Sequence, residues 1–88
     1  MIGNGCVVGA GLLMGTNSSI DHDNTVGDYA SLAPGATTGG NVAIGAYTTL
    51  GLGAKVIHDV AIGAHTVIGA GAVVLLSLIH ISEPTRRS

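Results

Sequence analysis

His22 stands between two carboxylates, in the run Asp21, His22, Asp23. An imidazole, with an ordinary pKa of about 6.5, can take a proton from a hydroxyl or an amine at neutral pH, and an adjacent carboxylate can hold its ring in one orientation. That is the equipment of a general base. Three further histidines are His58, His65 and His80, and His58 follows His22 by 36 residues. The one cysteine, Cys6, cannot form an internal disulfide, and there is no CxxC or Cys/His zinc pattern. No residue is therefore read as a covalent nucleophile or a metal ligand. Cys6 reads as core filler, and a lone thiol is compatible with a reducing cytoplasm.

The elements that must position His22 are constrained by composition. Eighty-eight residues make one small domain at most, and Gly 15, charged residues at 9% and no Trp or Phe argue against an ordinary mixed core. A net charge of −2 with three Lys+Arg, two of them Arg86 and Arg87, leaves no basic stripe, so neither nucleic acid nor a membrane surface is an expected partner. The apolar stretch from Val67 to Ile81 is interrupted by Gly69 and Gly71 and is too short for a bilayer-spanning helix. The N-terminus has neither the charged start nor the apolar block of a signal peptide.

Period six organises the chain. Stepping by six from Ile2 reaches Val8, Met14, Ile20, Val26, Leu32, Thr38, Ile44, Leu50, Val56, Ile62, Ile68 and Val74; of these thirteen positions only Thr38 is not aliphatic or Met. The residue two places earlier is usually small or β-branched, as in Ser18, Ala30, Ala36 and Thr48. An inward small residue, an outward residue and an inward aliphatic make a short strand, and the other three residues of the hexad turn a corner. The third residue after the aliphatic is Gly, Asn or Asp in nine of twelve hexads, types that tolerate positive φ. Three strands close a triangular coil of 18 residues, which predicts coils over 2–19, 20–37, 38–55 and 56–73, stacked about 4.8 Å apart. His22 and His58 then share a corner, about 10 Å apart, with Gly40 between them, whereas His65 falls in a different turn slot and points elsewhere. Tyr29 and Tyr47 fall in equivalent slots one coil apart and are expected to stack outside the column.

The pattern stops after Val74. Residues 1–75 form the predicted β-helix and 76–88 a non-native or irregular tail, because the run from Leu76 to Arg86 resembles a translated sequencing adapter. The chain reads as a piece of a longer coding sequence, expected to have little or no activity alone.

The hexads resemble the left-handed parallel β-helix of the hexapeptide-repeat acyltransferases, an all-β fold. Parallel crossovers are ordinarily right-handed, so the expected hand rests on that resemblance. The segment from Ile20 to Gly45 (DHD at 21–23, then PGA and GGN) is similar to the sialic-acid O-acetyltransferase and UDP-amino-sugar N-acetyltransferase family. The resemblance implies transfer of an acetyl group from acetyl-CoA to a hydroxyl or amine of a sugar or nucleotide sugar, by a cytoplasmic homotrimer with sites between neighbouring helices. It carries the general base onto His22, its supporting carboxylate onto Asp23, and the amide that holds the thioester carbonyl onto Gly40. A second family histidine that contacts acetyl-CoA falls on Ser31, a departure from the pattern, and further acetyl-CoA contacts fall on Leu52 and Ala70. Small outward residues such as Thr25, Ala43 and Ala61 would allow helices to pack closely.

Two other readings compete. A γ-class carbonic anhydrase, also a trimeric left-handed β-helix, has zinc histidines spaced 36 and then five apart. The first spacing is present, but the second needs a histidine where Gly63 stands. The other reading is a noncatalytic β-helix scaffold.

Overall fold

The computed structural model describes residues 2–75; the tail predicted over 76–88 lies outside them. The described chain is a left-handed parallel β-helix of about four coils. Each hexad contributes a strand of two residues, the outward residue and the aliphatic after it. The first sheet contains β1 (Val7–Val8), β4 (Thr25–Val26), β7 (Ala43–Ile44) and β10 (Ala61–Ile62). The second contains β2 (Leu13–Met14), β5 (Ser31–Leu32), β8 (Thr49–Leu50) and β11 (Val67–Ile68). The third contains β3 (Ser19–Ile20), β6 (Thr37–Thr38), β9 (Lys55–Val56) and β12 (Val73–Val74). All pairs are parallel, and Val7 opposite Thr25, Leu13 opposite Ser31 and Ser19 opposite Thr37 set a register of 18 residues, the predicted coil.

The core follows from this register. Ile20 and Leu50 are fully buried, and Ala30, Ala36 and Ala54 fill the narrow space beside the aliphatic ladders. Strands this short bury nothing alone; each becomes stable only when sandwiched between coils. Ile2, at the end of the column, is accordingly 46% exposed. Glycine after the aliphatic is a matter of clearance: a Cβ at Gly39 would lie 2.6 Å from the backbone nitrogen of His58 in the next coil.

The corners repeat one left-handed backbone more strictly than residue types suggest. All twelve residues at the third place after the aliphatic have positive φ, including Tyr29 (57°), Tyr47 (59°) and His65 (58°). These three aromatics stack in a column, with centroids 5.4 Å apart for Tyr29 and Tyr47 and 5.1 Å for Tyr47 and His65. A left-handed residue with a Cβ costs about 1–2 kcal/mol, and each stack returns roughly 0.5–1.5 kcal/mol. Stacking therefore offsets the strain where Gly, Asn and Asp are missing. Among the described residues no helix is long and apolar enough to cross a membrane.

Candidate functional site

The corner between the third and first sheets carries His22, Gly40 and His58 in successive coils, as the 36-residue spacing predicts. They line an open cleft of about 460 Å³ with Asp21, Asn41 and Asp59. The His22 backbone is held from several sides. Its N–H donates to Asp21 Oδ1 at 2.8 Å, and its carbonyl accepts from the Asn41 N–H at 2.9 Å. Below it, the Cys6 thiol donates to the Asp21 carbonyl at 3.0 Å, so Cys6 does more than fill the core.

The ring is oriented too. His22 Nδ1 lies 3.1 Å from Asp23 Oδ2. Asp23 sits in the left-handed slot at φ 56°, which turns its carboxylate back toward its neighbour. With Nδ1–H donating to Asp23, the tautomer leaves Nε2 bare as an acceptor. Both side chains are more than 60% exposed, so the pair adds little to stability; its effect is on the direction of the ring.

That ring covers Gly40. A Cβ built on Gly40 would lie 2.6 Å from His22 Cε1 and 2.7 Å from Nε2. Gly40 does not have positive φ, so glycine is required here for space. Of the twelve described residues at the second place after the aliphatic, Gly40 alone is buried. Its N–H donates to no atom of the described residues. The arrangement thus combines an imidazole nitrogen free to accept a proton with a neighbouring backbone amide that has no partner among the described residues. It can remove a proton from a nucleophile and stabilise a developing oxyanion.

The other residues carried over by resemblance lie elsewhere. Ser31 is on the outer face of the second sheet, which is opposite the His22 corner, with its hydroxyl 3.2 Å from that of Thr49. Leu52 (58% exposed) and Ala70 stack at the corner between the second and third sheets. One chain does not bring them to His22. Nor does His65 join His22 and His58: it lies at the corner between the first and second sheets, against Tyr47, so these three imidazoles do not converge on a metal. Among the described residues no group of three His, Cys, Asp or Glu side chains could hold a metal ion.

No protein-family model and no curated protein matches the chain. Solved structures do. The acetyltransferase domain of PglB from Neisseria gonorrhoeae FA1090 superposes with a TM-score of 0.69 at 23% identity, over 89% of this chain and 47% of that one. A histidine-to-alanine variant of GDP-perosamine N-acetyltransferase from Caulobacter crescentus, in complex with CoA and GDP-perosamine, gives a TM-score of 0.56 at 30% identity, over 84% of this chain and 47% of that one. Both structural neighbours are named as acetyltransferases, and the second holds a nucleotide sugar. The present chain spans about half the length of each.

Sequence reading passed over two residues at this corner. Asn24 and Thr38 break the pattern of the inward slots, Asn24 where every other residue except Leu12 is small or β-branched and Thr38 where every other ladder residue is aliphatic or Met. Both are buried, and the Thr38 hydroxyl donates to Asn24 Oδ1 at 2.6 Å. Their departure from the repeat was the available signal.

Proposed function

We propose that the protein is an acetyl-CoA-dependent acyltransferase acting on a hydroxyl or amine of a sugar or nucleotide sugar. The observation that carries this reading is Gly40, a buried residue covered by the His22 ring, whose N–H has no hydrogen-bond partner among the described residues. His22 Nε2 takes the proton from the acceptor as its oxygen or nitrogen attacks the thioester carbonyl. The Gly40 N–H donates to the oxygen as it becomes negative. His22 then returns the proton to the departing thiolate, leaving the acetylated acceptor and free CoA. Asp23 keeps the ring in the tautomer this sequence of proton transfers needs. The CoA and the nucleotide sugar held by the perosamine enzyme support the choice of donor and acceptor classes.

The donor contacts proposed for Ser31, Leu52 and Ala70 belong to this reading in a particular way. Because they lie away from the His22 corner of their own chain, they serve the site of a neighbouring copy, and the working form is a homotrimer. A cytoplasmic location belongs to the same reading, and the lone Cys6 thiol is compatible with it. The test is acetyl transfer from acetyl-CoA to a panel of sialic acids and nucleotide amino sugars, by the parent protein and by His22→Ala. A loss in kcat of about 10²- to 10⁴-fold is expected from removing a general base; unchanged turnover would remove the assignment.

A further inference from the structure

Asn24 and Thr38 form a closed polar network beneath the cleft. Asn24 Nδ2 donates to two carbonyls, those of His22 at 3.0 Å and Gly39 at 2.9 Å. Its Oδ1 accepts the Thr38 hydroxyl at 2.6 Å, and that oxygen in turn accepts the Asp21 N–H at 3.3 Å. The two side chains thereby tie down the residue before the imidazole, the imidazole residue itself, and the peptide that leads into Gly40.

The Gly39 carbonyl and the Gly40 N–H belong to one planar trans peptide, so they point in opposite directions. Asn24 draws the carbonyl inward, into the column, and the N–H is thereby aimed outward at the cleft. At the corner between the second and third sheets the equivalent carbonyls are held by the backbone: Gly15 O accepts the Ser18 N–H, Ala33 O that of Ala36, and Gly51 O that of Ala54. Gly39 O has no such backbone bond and depends on the Asn24 amide. A donor on the carbonyl also polarises the peptide and strengthens its N–H as a donor. An aliphatic residue at 38 would fit the repeat better, since Val, Ile or Leu fills the ladder almost everywhere else.

We infer that Asn24 is a positioning residue for acyl transfer: its buried side-chain amide, held in orientation by the Thr38 hydroxyl, aims the Gly40 amide at the oxyanion. The inference rests on the reading above, in which that amide stabilises the transition state.

Thr48 supplies the control. It stands 15 residues before Gly63, as Asn24 does before Gly39, and its hydroxyl reaches the Gly63 carbonyl at 3.0 Å. Two variants built on Thr38→Val therefore differ by one hydroxyl: Asn24→Thr, which keeps a donor on Gly39 O, and Asn24→Val, which does not. Measured where both are fully folded, the Thr variant is expected within about threefold of the parent kcat. The Val variant is expected to lose about 10- to 100-fold in kcat, with KM for acetyl-CoA little changed. Equal kcat in the two variants would overturn the inference. The same assay separates the two ideas: if the parent transfers no acetyl group the acyltransfer reading falls, if His22→Ala turns over normally the general-base role falls, and if His22→Ala is dead while the Val variant keeps parental kcat only the positioning role falls. A readout without turnover is the NMR coupling across the hydrogen bond from Asn24 Nδ2 to the Gly39 carbonyl carbon, with the Gly40 amide nitrogen shift. The coupling is expected in the parent, and the shift should move in Asn24→Val and hold in Asn24→Thr; no coupling, or a Gly40 resonance indifferent to both, refutes the aiming of that peptide.

Discussion

Gly40→Ala adds one methyl group at a position whose backbone accepts it, and the methyl lands 2.6 Å from the His22 ring. The ring is 62% exposed and free to swing outward, so the fold should survive while the imidazole leaves its place over the amide. We expect an unchanged melting temperature and a loss of roughly 10²-fold in turnover; a variant as active as the parent would show that the ring position is irrelevant. Asp23→Asn keeps a residue type suited to φ 56° but removes the negative charge that holds the imidazole N–H and stabilises the ring when it takes up a proton. Its kcat should fall at least about tenfold with stability held, as denaturant midpoints and initial rates would report. The fixed period makes the adjacency of His22 and Gly40 legible in the sequence, because it converts spacing into a shared corner, whereas the roles proposed for His22, Asp23 and Gly40 come from the resemblance. Asn24 and Thr38 could not be given a role there: the period places their side chains inside, but only coordinates show which carbonyls they bind.

Turns in this fold impose their backbone on whatever residue occupies them. The Gly, Asn and Asp slots predicted nine corners correctly by type, yet Tyr29, Tyr47 and His65 adopt the same left-handed conformation. Residue propensity is a local preference, whereas corner geometry is set by coils above and below, so the aromatics are held by stacking. Replacing Tyr47 separates the two effects. Tyr47→Ala removes both stacks and keeps the strain, and should cost about 1–3 kcal/mol. Tyr47→Gly removes the stacks and relieves the strain, and should be less damaging by about 1 kcal/mol. Urea midpoints of the two variants decide this; equal losses would mean that the left-handed backbone carries no strain at Tyr47. At the centre of the ladder, Leu50→Ala should cost about 2–5 kcal/mol, since Leu50 is fully buried.

At the scale of the whole molecule, the column puts His22 at one corner and Ser31 and Leu52 on the face opposite and at another corner. The repeat made the coil, its 18-residue register and the inward ladders legible, because each hexad answers only to its neighbours. The hand of the coil was not legible from residue types, since general preference runs the other way. Contacts between columns depend on outward side chains that no period constrains. If the site is shared between copies, His22→Ala and Leu52→Asp chains, each impaired alone, should recover turnover when assembled together, and failure of mixed assemblies to do so would put the donor site within one chain. The central claim, that the Gly40 amide beneath His22 receives the thioester oxygen, is tested most directly by titrating ¹⁵N-labelled protein with acetyl-CoA. The account predicts that the Gly40 amide proton moves downfield more than any other backbone amide, together with the His22 ring resonances. Acetyl-CoA that binds while both Gly40 and His22 stay still would contradict it.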